Sequence, residues 1–166
     1  MMAFIFQLIG AYLVSIVCAI FLEAPKNLMF KMPIVVVGGW FVYLILLNGL
    51  GSNIIVATYL ASLVIAWLSH KMARRYHKPV TLFFLPGFFT LVPGGGMYRT
   101  ALAFIQGETT SGFQELGTTM FTALAIALAV YTIDSAVNIK YNQQRPKFIR
   151  KNRMIPLRKY TKNKSR

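Results

Sequence analysis

PVTLFFLPGFFTLVPGGGMYRTALAFIQG, residues 79–107, is apolar enough for a lipid bilayer, yet it carries Pro86-Gly87 and then Pro93-Gly94-Gly95-Gly96. Proline removes a backbone donor and clashes with the preceding turn, while glycine leaves the backbone open and gives access to positive φ. Inside a bilayer, non-helical backbone is tolerated only where protein or a water-filled cavity covers it. The stretch therefore predicts a membrane span broken at its Pro-Gly motifs, and the break predicts a site. The competing reading is a kinked helix whose freed backbone groups are satisfied by neighbouring helices.

Outward from that stretch the whole chain reads the same way. Of its 166 residues 56% are hydrophobic and only 13% charged. Several apolar runs approach the roughly 20 residues that a helix needs to cross about 30 Å of hydrocarbon. The fold class is thus an all-α integral membrane protein with about five transmembrane helices, the fourth broken. The net charge of +14 is concentrated rather than spread, since 11 of the 18 basic residues lie from Lys140 onward with no acidic residue among them. That asymmetry marks a tail and a topology, and no nucleic-acid partner is expected. The division is a transmembrane domain over 1–139 and a basic cytoplasmic tail over 140–166. The tail, poor in apolar residues, is expected to be disordered or to lie on anionic lipid.

The first run, residues 3–22, lacks the basic start and small-residue cleavage site of a signal peptide and is expected to be retained. Ala11, Ser15 and Ala19 recur on one face, where another helix can approach closely. A second run over 33–47 carries Gly38-Gly39 and the interface aromatics Trp40 and Tyr43. Asn48, Gly49, Gly51, Ser52 and Asn53 make an uncharged turn. A third run, 54–69, has Thr58, Ser62, Ala66 and Ser69 along one face and leads into a basic patch over 70–78. The last run, 113–139, carries Thr118, Thr122, Ala125, Ala129, Thr132 and Ala136 as a packing seam. Cys18 is alone, so there is no disulfide framework. His70 and His77 lie among basic residues and make no metal set.

Basic residues favour the cytoplasmic side. Placing the tail, the 71–78 connector and the connector with Lys26 and Lys31 there leaves no Lys or Arg in an outside loop, where Glu108 and Glu115 fall. This arrangement has five crossings of the cell membrane, the N-terminus outside and the C-terminus cytoplasmic. Taken as two ten-residue half-helices over 83–92 and 97–106, the broken span covers about 30 Å at 1.5 Å per residue.

Pro79, Phe83, Pro86-Gly87, Leu91-Val92-Pro93-Gly94, Tyr98 and Gly107 together resemble the threonine/serine exporter (ThrE-like) family over residues 3–138. More narrowly, they resemble its small membrane subunit of the split, YjjB-like type. The family pattern often has a proline where this chain has Thr90, and the basic tail here is longer. The resemblance implies half of a transporter, working with a larger ThrE-like membrane subunit in a hetro-oligomer of inverted repeats. It also implies a small-molecule substrate, an amino acid of the threonine/serine type or a dicarboxylate such as succinate.

On that reading the substrate-binding candidates are Pro86, Gly87, Pro93, Gly94, Gly95, Gly96, Tyr98 and Arg99. The glycines open a half-helix whose N-terminal N–H groups suit a carboxylate, and Arg99 supplies a forked partner for the same group. For Arg99 the bland alternative is snorkelling to the interface, and for Tyr98 a membrane anchor. Asp134, an acidic residue well inside an apolar run, is the proton-coupling candidate, with an interhelical hydrogen bond as its alternative. No nucleophile–base constellation, phosphate loop or paired acids appears, so no enzyme activity, cofactor or metal is expected. The competing function is an insertase-like or holin-like membrane protein with an RNA- or lipid-binding tail, which needs no broken span. A homo-oligomeric channel is a third reading.

Overall fold

The computed structural model describes residues 2–153 and contains, among them, helices and no strand. In chain order the helices are α1 (Met2–Phe21), α2 (Lys26–Met29), α3 (Met32–Asn48), α4 (Ile54–Tyr76), α5 (Val80–Leu91), α6 (Gly94–Ile105) and α7 (Thr109–Arg153). Four of them, α1, α3 with α2, α4 and α7, are long and apolar enough to cross a membrane, and α5 with α6, bent by 41° at their break, are long and apolar enough only as a pair. The all-α membrane fold with a broken fourth span is therefore what the chain adopts. Two compact units divide it, Met1–Ile133 and Asp134–Arg166.

The small-residue faces are buried as the periodicity requires. Ser15 and Ala19 of α1, and Ser69 of α4, are fully buried, with Thr58, Ser62 and Ala66 nearly so. Between helices in lipid there is no hydrophobic drive, so close backbone approach and van der Waals packing hold such contacts. The tightest of them centres on Ile65 of α4. A methyl group placed on Gly39 of α3 or on Gly87 of α5 would collide with the Ile65 side chain, at 2.6 Å from Cγ2 for Gly87. One branched side chain thus fills the notches of two neighbouring helices.

That contact corrects the reading of Pro86-Gly87 as part of the break. Helix α5 runs straight through both, with Pro86 inside it. Both residues are buried, and Gly87 is there to admit Ile65 rather than to unwind the chain. The break is confined to Val92 and Pro93, where α5 ends and α6 begins. None of Gly94, Gly95 and Gly96 has positive φ, which among the described glycines belongs to Gly51 and Gly107 in the turns. Of the three, Gly96 serves close approach, to Thr119, while a side chain on Gly94 would meet nothing within 4 Å.

Several boundaries also move. The first connector contains the short helix α2. Helix α4 continues through the basic patch to Tyr76 and ends where His77 takes a left-handed conformation at φ 52°. Asn53 caps its start, the side chain accepting from the Ile55 N–H at 3.1 Å. Helix α7 begins four residues before its apolar run and continues through Arg153, although the polar composition of that stretch reads as irregular tail. The remainder of the basic tail, 154–166, lies outside the described residues. At one end of the bundle the Lys31 ammonium sits 4.5 Å from the centroid of the Tyr76 ring, so the first basic connector meets the end of α4.

Candidate functional site

Around the break the first unit carries a partly open cavity of about 210 Å³. Its floor is the break itself, with Thr90, Leu91 and Val92 from the end of α5 and Pro93 to Gly96 at the start of α6. Trp40 and Tyr43 enter from α3, Ile54 and Thr58 from α4, and Arg99 from the second turn of α6. Glu115, Thr118, Thr119 and Thr122 complete it from α7. Pockets for drug-sized ligands run to roughly 300–1,000 Å³, so this one suits a small metabolite.

The start of α6 has the electrostatics of an anion site. Pro93 occupies the N-cap position and offers no side-chain acceptor. Gly94 donates its N–H to Val92 O, and Met97 donates to Pro93 O at 3.0 Å. The intervening N–H groups of Gly95 and Gly96 are first-turn donors, which have no partner within a helix. The aligned peptide dipoles add about half a positive charge at this end. The Arg99 guanidinium lies back over the same turn, its Nη1 at 3.6 Å from where a Gly95 side chain would start. Two positive features are thus brought together, which an anion between them would favour.

Arg99 does not stand alone. Its Nε donates to Glu115 Oε2 at 3.2 Å, and the two side chains are 57% and 35% exposed. Gly96 keeps α6 against α7, since a side chain there would collide with Thr119. Farther along the same pair, Phe104 packs edge-on against Phe113 with centroids 5.4 Å apart. On the facing wall, Tyr43 of α3 and Thr58 of α4 both line the cavity. The Trp40 indole N–H is buried and meets no acceptor among the described residues.

Of the residues singled out from sequence, Pro93, Gly94, Gly95, Gly96 and Arg99 converge on the cavity. Pro86 and Gly87 sit in the helix contact instead, and Tyr98, 69% exposed, is not among the lining residues. Asp134 belongs to the second compact unit. The packing seam of α7 is buried only from Thr122 to Ala129, while Thr118 and Thr132 are exposed. Thr118 and Thr122 also line the cavity, a role their spacing does not disclose. Glu115, Trp40 and Tyr43 are the lining residues that sequence reasoning placed elsewhere, in an outside loop and at the membrane interface. The opposite charges of Arg99 and Glu115, each within a nearly uncharged apolar stretch, were the signal available for one of them. Among the described residues no three His, Cys, Asp or Glu side chains gather as a metal set.

The model of the family described as "Threonine/Serine exporter, ThrE" matches residues 7–136, most of the chain and all of the cavity. No curated protein and no solved structure matches.

Proposed function

We propose, from the premise that this chain belongs to the threonine/serine exporter family, that it is the membrane subunit of a two-component secondary-active exporter. Its substrates are small carboxylate-bearing metabolites, amino acids of the threonine/serine type or a dicarboxylate such as succinate. The observation that carries the reading is the uncapped N-terminus of α6, opening with Arg99 into a cavity at the break of the fourth span. Helix ends aimed at anionic groups within broken spans are how many secondary transporters bind substrate.

A larger ThrE-like membrane subunit supplies the other half in this proposal. The support is the odd number of spans, since a second five-helix half of opposite orientation gives inverted repeats around a shared site. Asp134 remains proposed as the proton-coupling carboxylate. Expressed without the larger subunit, the chain should leave intracellular threonine and serine unchanged. Co-expressed, the two should copurify and lower those pools. Export by the purified chain alone in liposomes would reject the two-part arrangement.

Orientation is proposed as N-terminus outside and C-terminus cytoplasmic, in the cell membrane, with the basic tail along anionic lipid. The support is the charge asymmetry, together with the Lys31–Tyr76 contact that puts the first two basic connectors at one end of the bundle. Reporter fusions after Asn53 and Gly112 should then read outside, and fusions after Arg75 and Arg166 inside. A cytoplasmic signal after Gly112 would remove the five-span topology.

A further inference from the structure

The threonines that line the cavity all commit their hydroxyl protons to their own helices. Thr58 donates to Ile54 O at 2.7 Å and Thr90 to Gly87 O at 2.7 Å. Thr118 donates to Gln114 O at 3.1 Å, Thr119 to Glu115 O at 2.7 Å and Thr122 to Thr118 O at 2.7 Å. A carbonyl oxygen carries no hydrogen, so in each bond the hydroxyl must be the donor. What these side chains have left to offer a bound molecule is lone pairs. With the Glu115 carboxylate they make α4, α5 and α7 an acceptor wall.

The donors lie elsewhere. They are the Arg99 guanidinium, the first-turn N–H groups of α6 and, on α3, the Trp40 indole and the Tyr43 hydroxyl. The cavity is therefore divided by hydrogen-bond sense, and the Arg99–Glu115 contact is where its two signs meet. That contact is held by little. It is a hydrogen bond of 3.2 Å between side chains that are both partly exposed, and exposed ion pairs contribute little to stability.

We infer that Glu115 is the residue that receives the substrate's ammonium group, so that the Arg99–Glu115 pair opens around a zwitterion and the site selects α-amino acids over dicarboxylates. The inference rests on the reading of the break as a carboxylate site. The carboxylate takes the Arg99 fork and the Gly95 and Gly96 N–H groups. The ammonium has three donors and no acceptor, and takes the Glu115 oxygens with nearby threonine lone pairs. Each charged side chain exchanges one charged partner for another, so neither is left unpaired. A side-chain hydroxyl on the substrate finds further acceptors on the same wall. The second carboxylate of a dicarboxylate would instead face Glu115 and five threonine hydroxyls with no proton to share. Of the titratable groups lining the cavity, Tyr43 comes from α3, Arg99 from α6 and Glu115 from α7, while α4 and α5 contribute none.

Calorimetry on the full chain, purified with the membrane proteins that accompany it, tests this with three probes. They are threonine, the hydroxy acid that lacks only its ammonium, and succinate. Wild-type protein should bind threonine about 10- to 150-fold more tightly than the hydroxy acid, the worth of a hydrogen bond to a charged group. Glu115→Gln should erase that preference while leaving hydroxy-acid affinity unchanged or higher, because the amide no longer holds Arg99. Glu115→Asp, which keeps the charge, should restore part of it. Equal wild-type affinity for threonine and succinate would overturn the inference, as would an unchanged preference in Glu115→Gln. Binding of all three probes with no preference would leave the carboxylate reading standing and remove the role of Glu115. Binding of none would remove both.

Discussion

Arg99→Gln should abolish export while the protein still inserts and assembles. The guanidinium lies over the first turn of α6 and is the cavity's cationic side chain. Charge-assisted hydrogen bonds to a carboxylate are each worth roughly 1.5–3 kcal/mol when kept from water. Losing a forked pair should weaken binding at least about a hundredfold. Gly95→Leu should act as strongly by another route, since its side chain would fill the space now held by Arg99 Nη1, 3.6 Å from the position of its Cβ. Tyr98→Phe is the mild control, for Tyr98 lies outside the cavity lining. Efflux from loaded cells and calorimetry on the assembled protein measure the effect. Wild-type affinity in both Arg99→Gln and Gly95→Leu would mean that the break is only a bend.

The second large effect is on the fold itself. Gly39→Ala and Gly87→Ala should each lower thermal stability in detergent, although alanine is the better helix former by about 1 kcal/mol. The sign reverses because both new methyl groups would meet Ile65, and overpacking a tight contact costs roughly 1–3 kcal/mol. Gly10→Ala in α1, with nothing within 4 Å of the added carbon, should be neutral or stabilising. Ile65→Ala should be destabilising alone, yet it should rescue part of the loss when combined with Gly87→Ala, by a coupling of about 0.5–3 kcal/mol. Strict additivity in that double-mutant cycle would show that Ile65 and Gly87 do not share the space.

These two regions also separate what the sequence disclosed from what it withheld. Apolar run length located the spans, and fourfold spacing of Ala11, Ser15 and Ala19 located a buried face, because both depend on local periodicity. The dense motif Pro93-Gly94-Gly95-Gly96 located the break for the same reason. Pro86-Gly87 looked equivalent, but whether a glycine unwinds a helix or admits a neighbour depends on what faces it. Here that is Ile65, on another helix. Glu115 was hidden by its place near the start of the last run, where a carboxylate reads as facing an outside loop, whereas α7 begins at Thr109 and carries Glu115 in its second turn. Its partner lies 16 residues earlier, across a turn. Trp40 and Tyr43 carry the amphipathic chemistry of both a membrane anchor and a cavity wall, and only their placement distinguishes the two.

The break between α5 and α6 has an electrical consequence of its own. An unbroken helix carries its opposite end charges, roughly half a unit each, at its two ends. Here the chain ends one helix at Leu91 and starts the next at Gly94. The negative terminus of α5 is therefore set beside the positive terminus of α6, at the middle of a span. Such a junction is neutral as a whole, so a simple ion gains at one terminus and loses at the other. A molecule that is itself neutral overall but polarised end to end gains at both.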